Sequence, residues 1–126
     1  MGTLKTTLKV ESTDLFPTPV SFTTVNNNTV AGSYSGFNTV TITGGAPVSL
    51  DIVTPGADGC YFYAAAPSTN TETVIITITG GDTFAQLAPG DVSFISLGDG
   101  TGYDFEADTL LGTGTASLNF FVGLKS

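Results

Sequence analysis

"TVIITITGGDTFAQLAPGDVSFISL", residues 73–97, is the stretch that decides the fold. Two turn signals divide it into three runs that are rich in β-branched and aromatic residues. Gly80-Gly81 is typical of a two-residue hairpin, because the central residues of such a turn adopt positive φ. Pro89-Gly90 is typical of a type II turn, in which Pro fixes one φ and Gly supplies a positive one. The stretch therefore predicts a three-stranded antiparallel meander.

Strand signals continue on both sides of this stretch. Residues 3–10 alternate between a mostly apolar face, which begins at Leu4, and a face that carries Lys5 and Lys9. Further strand-like runs occupy residues 19–25, 38–43, 48–53, 60–65 and 114–124. A few helix-forming residues gather at 104–111, between glycines. About nine short strands, with no linker between them, predict one all-β domain over residues 1–126, an antiparallel β-sandwich or a barrel.

Two of these strands carry apolar residues on both faces, and these residues are expected to pack against other parts of the protein or against a neighbouring subunit. Residues 73–79 are β-branched and uncharged, so we expect them to form a central strand or one sealed by a neighbouring subunit. In the last strand, Leu118, Phe120 and Val122 share one face while Phe121 points to the other. A strand that is apolar on both faces is usually covered on both. This favours a homo-oligomer.

The charge balance excludes several classes of partner. The chain has 126 residues, a net charge of −8, three lysines and no arginine. Binding to nucleic acid or to an anionic membrane surface needs more cations, so neither is expected. Charged residues make up 11% of the chain, against about 25% in typical proteins. A neutral polar surface suits permanent contact with other proteins, because few charges must be desolvated.

Residues that commonly carry catalysis are scarce. The chain has no histidine, so the usual base of a nucleophilic triad is missing. Its one cysteine, Cys60, can form neither an intrachain disulfide nor a classical zinc site, and we expect it to be a small buried side chain. The first residues lack the apolar core of a signal peptide, so synthesis in a cytoplasm is expected. We predict a protein that is not an enzyme and has no cofactor.

The acidic stretch "LGDGTGYDFEAD", residues 97–108, is the one remaining candidate for chemistry. An EF-type calcium loop fails here, because the third and fifth positions from Asp99 are not acidic. A looser calcium site that uses Asp99 and Asp104 stays open, and so does a carboxylate pair of Glu106 with Asp108. The favoured interpretation is two glycine turns that lead into a solvent-facing edge strand, whose acids prevent further pairing.

The order of elements in residues 73–123 resembles that of small structural proteins of tailed phages. A Pro89-Gly90-Asp91 turn is followed by the strand at 92–97, a short segment at 105–109 and a closing strand at 115–122. The resemblance implies a jelly-roll-like β-sandwich of the head decoration, or cement, type. Such a protein would form a homo-oligomer, with a trimer favoured, and would bind the major capsid protein. It would stabilise the head from the outer capsid surface of the virion.

Other functions stay open, and so does the location of the interface. A minor tail or fibre protein would fit the same pattern. A carbohydrate-binding or adhesin-like module would need an aromatic platform, to which Tyr61 and Tyr63 could contribute because they share a strand face. Phe16, with Pro17 beside it, either anchors a neighbouring chain or plugs its own sandwich. We expect the interface to use these two residues together with Leu118, Phe120 and Phe121 of the closing strand.

Overall fold

The computed structural model describes residues 2–14, 17–30, 37–53, 59–78, 81–98 and 103–125. In these ranges the chain forms ten β-strands and no helix, so the all-β prediction is confirmed. The strands are β1 (Gly2–Ser12), β2 (Val20–Val30), β3 (Asn38–Thr43), β4 (Val48–Val53), β5 (Cys60–Ala65), β6 (Val74–Ile78), β7 (Asp82–Leu87), β8 (Val92–Leu97), β9 (Tyr103–Thr109) and β10 (Thr115–Leu124). Nowhere in the described chain does a helix of the length and apolarity needed to cross a bilayer occur.

The eight strands from β3 to β10 form two four-stranded antiparallel sheets. Sheet I has the order β3-β10-β5-β8, and sheet II has the order β4-β9-β6-β7. Most strands that follow one another in the chain lie in different sheets, and this order is that of an eight-stranded jelly roll. The antiparallel, jelly-roll-like β-sandwich is therefore confirmed.

The core lies between the two sheets and is formed by the alternate residues of each strand that point inward. Every second residue of β5, and of β10 as far as Val122, is buried, while the residues between them face outward. Phe62 of sheet I stacks on Phe105 of sheet II with ring centroids 4.6 Å apart, and Phe84 of sheet II meets Phe62 edge-on at 5.5 Å. Cys60 is fully buried, as predicted, and takes part in no disulfide.

The stretch that predicts the fold divides between the two sheets. β6 and β7 form the expected hairpin, in which Gly81 has φ +86° and its N–H donates to the carbonyl of Ile78 at 3.0 Å. The turn at Pro89-Gly90 also forms, with φ +92° at Gly90. The meander is nevertheless wrong, because β8 pairs with β5 in sheet I and not with β7.

Backbone hydrogen bonds explain why β8 leaves sheet II. The N–H of Ala66, just beyond β5, donates to the carbonyl of Asp91 at 2.9 Å, and the N–H of Gly90 donates to the carbonyl of Ala66 at 2.8 Å. The Pro-Gly turn is thereby fixed to the end of β5, which directs the next strand into sheet I. β6 is a central strand, as predicted.

The acidic stretch supplies a tenth strand, β9, which was not among the nine expected. It was expected to be an edge, but it lies between β4 and β6 and is paired on both sides. Its acids do not block this pairing because Asp104, Glu106 and Asp108 all point out of sheet II, while Phe105 and Ala107 fill the core. Strand acids prevent pairing only when they crowd the open edge of a strand, and here they sit on its outer face.

β1 and β2 lie outside both sheets, although the sequence placed them among the strands of the sandwich. They pair with each other over their whole length, from Gly2 with Val30 to Ser12 with Val20. We call this two-stranded hairpin the arm. Its base meets the sandwich where Val30 is buried and bridges to Lys125, just beyond β10.

Candidate protein interaction surface

The acids of β9 have a structural setting. Glu106 and Asp108 share the outer face of sheet II, as predicted. One carboxylate oxygen of Asp108 accepts hydrogen bonds from the N–H of Gly45 at 3.0 Å and from the N–H of Thr109 at 2.7 Å. Asp108 therefore holds the turn between β3 and β4 against the end of β9. This role accounts for an acid at that position without catalysis.

The described residues include no group of three or more His, Cys, Asp or Glu side chains that could hold a metal ion. Asp99, one half of the loose calcium site, lies outside the described residues, so the pairing of Asp99 with Asp104 stays a prediction. Asp104 itself is a half-buried residue of β9.

The expected interface residues of the closing strand separate into two groups. Leu118 and Phe120 lie in the core, where they are 0% and 6% exposed. They belong to the inner face of sheet I, so the expectation that they contact a partner is corrected. Phe121 points outward, as predicted. Pro17 is exposed beside the tip of the arm, and Phe16 lies outside the described residues.

The outer face of sheet I carries a cluster of aromatic rings, which we call the aromatic patch. Its members are Phe37, Tyr61, Tyr63, Phe94 and Phe121. Phe37 stacks on Phe121 at 5.1 Å and meets Tyr63 edge-on at 5.8 Å, while Tyr61 and Phe94 are nearly parallel at 6.2 Å. The ammonium of Lys125 lies 5.4 Å from the centre of the Tyr61 ring, within cation–π range.

The sequence indicated part of this patch. Tyr61 and Tyr63 share the outer face of β5, as expected from their spacing. Phe94 was missed because the sheet face on which it lies depends on the strand with which β8 pairs. In the structure Phe94 is paired with Tyr63, so both rings lie on the outer face of sheet I. Phe37 was missed because it precedes β3, where no alternation marks it. One sign of an apolar outer face was present in the sequence, because large apolar residues occupy both the odd and the even positions of β8.

The arm has an apolar face of its own. The register of β1 and β2 places Leu4, Leu8, Val10 and Phe22 on one face. Leu8 is 65% exposed and Phe22 is 66% exposed. The opposite face carries both lysines of the arm, and Lys9 forms an exposed ion pair with Glu11 at 3.2 Å.

A groove of about 800 Å³ separates the arm from the aromatic patch. Leu4, Lys5 and Leu8 line it from the arm, and Tyr63, Phe94 and Phe121 line it from sheet I. It is open and mostly apolar, and the described residues that line it include two ionisable side chains, Lys5 and Tyr63. Such a surface is suited to contact with another apolar surface.

Comparisons with protein-family models, with curated proteins and with solved structures found no match.

Proposed function

We propose that this protein is a virion structural protein of the head of a tailed phage, a decoration or cement protein without enzymatic activity. It would lie on the outer capsid surface and bind the major capsid protein as a homo-oligomer. The observation that supports this best is the combination of a jelly roll with a protruding, largely exposed hairpin. Jelly rolls are frequent in viral capsid proteins, and the analogy of fold supports the same role here.

The arrangement of surfaces fits cementing. The arm and the aromatic patch are two separate apolar surfaces on one small chain. Such apolar surfaces can join copies of the chain to one another, and many copies on one shell add avidity without any deep pocket. Outside the arm, the surface carries Thr, Ser and Asn at many outward positions, such as Thr39, Thr41 and Thr43 of β3. Such a surface can form hydrogen bonds to a shell without burying charges.

The test is an add-back experiment on heads assembled without this chain. The purified chain should bind to saturation and should raise the temperature at which the heads release DNA. Because the proposed contact with the shell buries few charges, binding should change little between low and moderate salt. Absence of binding, or binding that disappears at moderate salt, would contradict the proposal.

The aromatic patch favours one further candidate, a carbohydrate-binding module. Sugar rings pack on exposed aromatic faces, and Tyr61 with Phe94 offers two nearly parallel rings. Glycan-array binding that is lost on Tyr61→Ala but kept on Leu111→Ala would support this function. Under the cement proposal the array shows no specific ligand.

A further inference from the structure

The arm is too exposed to be stable as an isolated element. It consists of two strands of 11 residues, and most of their side chains are exposed. A two-stranded hairpin in water is at best marginally stable and needs an additional packing surface. At about 3.3 Å per residue, the arm is roughly 36 Å long, which is enough to cross a whole sheet.

Exposed apolar residues concentrate on the arm and on sheet I. Among the described residues, ten large hydrophobic side chains are exposed. Six of these lie on the apolar face of the arm or on the outer face of sheet I and its flank: Leu8, Val10, Phe22, Phe37, Val92 and Phe94. Of the other four, Val25 lies on the lysine face of the arm, Ile95 lies opposite Phe62 in β8, and Leu110 and Leu111 lie at the turn between β9 and β10.

The area that these six residues offer approaches that of an interface. At ~150 Å² for a large side chain and about 60% exposure, the six residues offer on the order of 500 Å², and the half-buried Leu4, Tyr63 and Phe121 add to this area. A stable protein–protein interface buries about 800 Å² per partner. The largest apolar patch of a typical monomer is about 300–600 Å².

Charge indicates which part of the chain can approach a second sandwich. Residues 31–126 hold nine of the eleven acidic residues and one lysine, whereas residues 1–30 hold two lysines, Lys5 and Lys9, and two acids, Glu11 and Asp14. Two sandwiches therefore repel each other. An arm is neutral overall, so it can approach a sandwich without this repulsion.

We infer that the arm of one copy packs its apolar face on the aromatic patch of a second copy, entering the groove beside that copy's own arm. Leu8, Val10 and Phe22 would lie on Tyr63, Phe94 and Val92 of the other chain. Each copy carries both surfaces, so each gives an arm and receives one, and exchange in a closed ring covers all of them. This deepens the proposed function by naming how the copies contact each other.

Analytical ultracentrifugation of the full chain tests this without any particle. The wild-type protein should form an oligomer, and Phe22→Asp on the arm or Phe94→Asp on the patch should weaken it by ~30–100-fold, as loss of a central contact does. Leu111→Asp is the matched control, since Leu111 is 76% exposed but lies away from both surfaces, and it should leave the oligomer unchanged. Circular dichroism should show all three variants folded. Phe94→Ser replaces Phe94→Asp if the latter is not folded.

Disulfide trapping identifies the chain that receives the arm. In a Cys60→Ala background, a ¹⁵N-labelled chain with Val10→Cys is mixed with an unlabelled chain with Phe94→Cys. Oxidation should give a mixed-isotope disulfide, detected by mass spectrometry. A wild-type monomer, an oligomer unaffected by both aspartates, or a disulfide that forms only when one chain carries both cysteines would overturn the inference. A monomer that still binds heads would refute arm exchange but not the cement function. An oligomer that does not bind heads would refute the cement function but not arm exchange.

Discussion

Replacing Leu118 by alanine tests whether this residue belongs to the core or to an interface. Leu118 is 0% exposed on the inner face of β10, in the same cluster as Ile42 and Phe62. The change removes three carbon atoms, which at ~0.8 kcal/mol each is about 2.4 kcal/mol of lost transfer free energy. The cavity that remains brings the expected loss to about 3–4 kcal/mol. That is a large part of the ~5–15 kcal/mol available to a domain.

The measurement is urea unfolding followed by circular dichroism, at one protein concentration for all variants. Leu111→Ala is the same chemical change at a residue that is 76% exposed, and it should alter the free energy of unfolding by less than about 0.5 kcal/mol. If Leu118→Ala does not fold, Leu118→Met keeps the volume and should cost less than about 1.5 kcal/mol. A loss below about 1 kcal/mol for Leu118→Ala, together with a weaker oligomer, would refute the placement of Leu118 in the core.

Three further substitutions test local features, each by the free energy of unfolding. Asn70→Ala should lower the free energy of unfolding by about 1–3 kcal/mol, because the Asn70 amide forms two hydrogen bonds, of 2.8 and 2.9 Å, with the backbone of Ser117. The control is Asn119→Ala, since the Asn119 amide oxygen accepts an exposed hydrogen bond from Thr39. An equal loss for the control would contradict this prediction. Asp108→Ala should cost about 1 kcal/mol through the bonds from Gly45 and Thr109, and Glu106→Ala clearly less. Gly81→Ala should cost about 1–2 kcal/mol because of the positive φ, whereas Gly98→Ala, with equally open space and no positive φ, should be close to neutral.

The fold class could be predicted because alternation and turn residues are local signals. Period-two patterns in β5 and β10 specify one buried face each, and the glycines at 81 and 90 adopt the positive φ that their turns require. The assignment of strands to sheets could not be predicted. A Pro-Gly turn fits a hairpin as well as a crossing between sheets, and hydrogen bonds to Ala66, distant in sequence, decide between them.

The candidate surface was predictable only in part, for similar reasons. The outward direction of Phe121 follows from alternation within β10, but the strand's position relative to Phe37 and Phe94 is a tertiary property. Alternation also says which residues share a face without saying which face is inside. This is why Leu118 and Phe120, apolar and on one face, were equally compatible with a core and with an interface. The arm was missed because its strands carry the same pattern as strands of a sandwich.

The most direct test of the proposed function is the copy number of this polypeptide in purified phage particles, measured by quantitative mass spectrometry against the major capsid protein. A cement protein of the head should be present in hundreds of copies per particle, in a fixed ratio to the major capsid protein. A few copies to a few dozen would place the protein in the tail or at a vertex and contradict the head assignment. Its absence from the particles would contradict a virion structural role altogether.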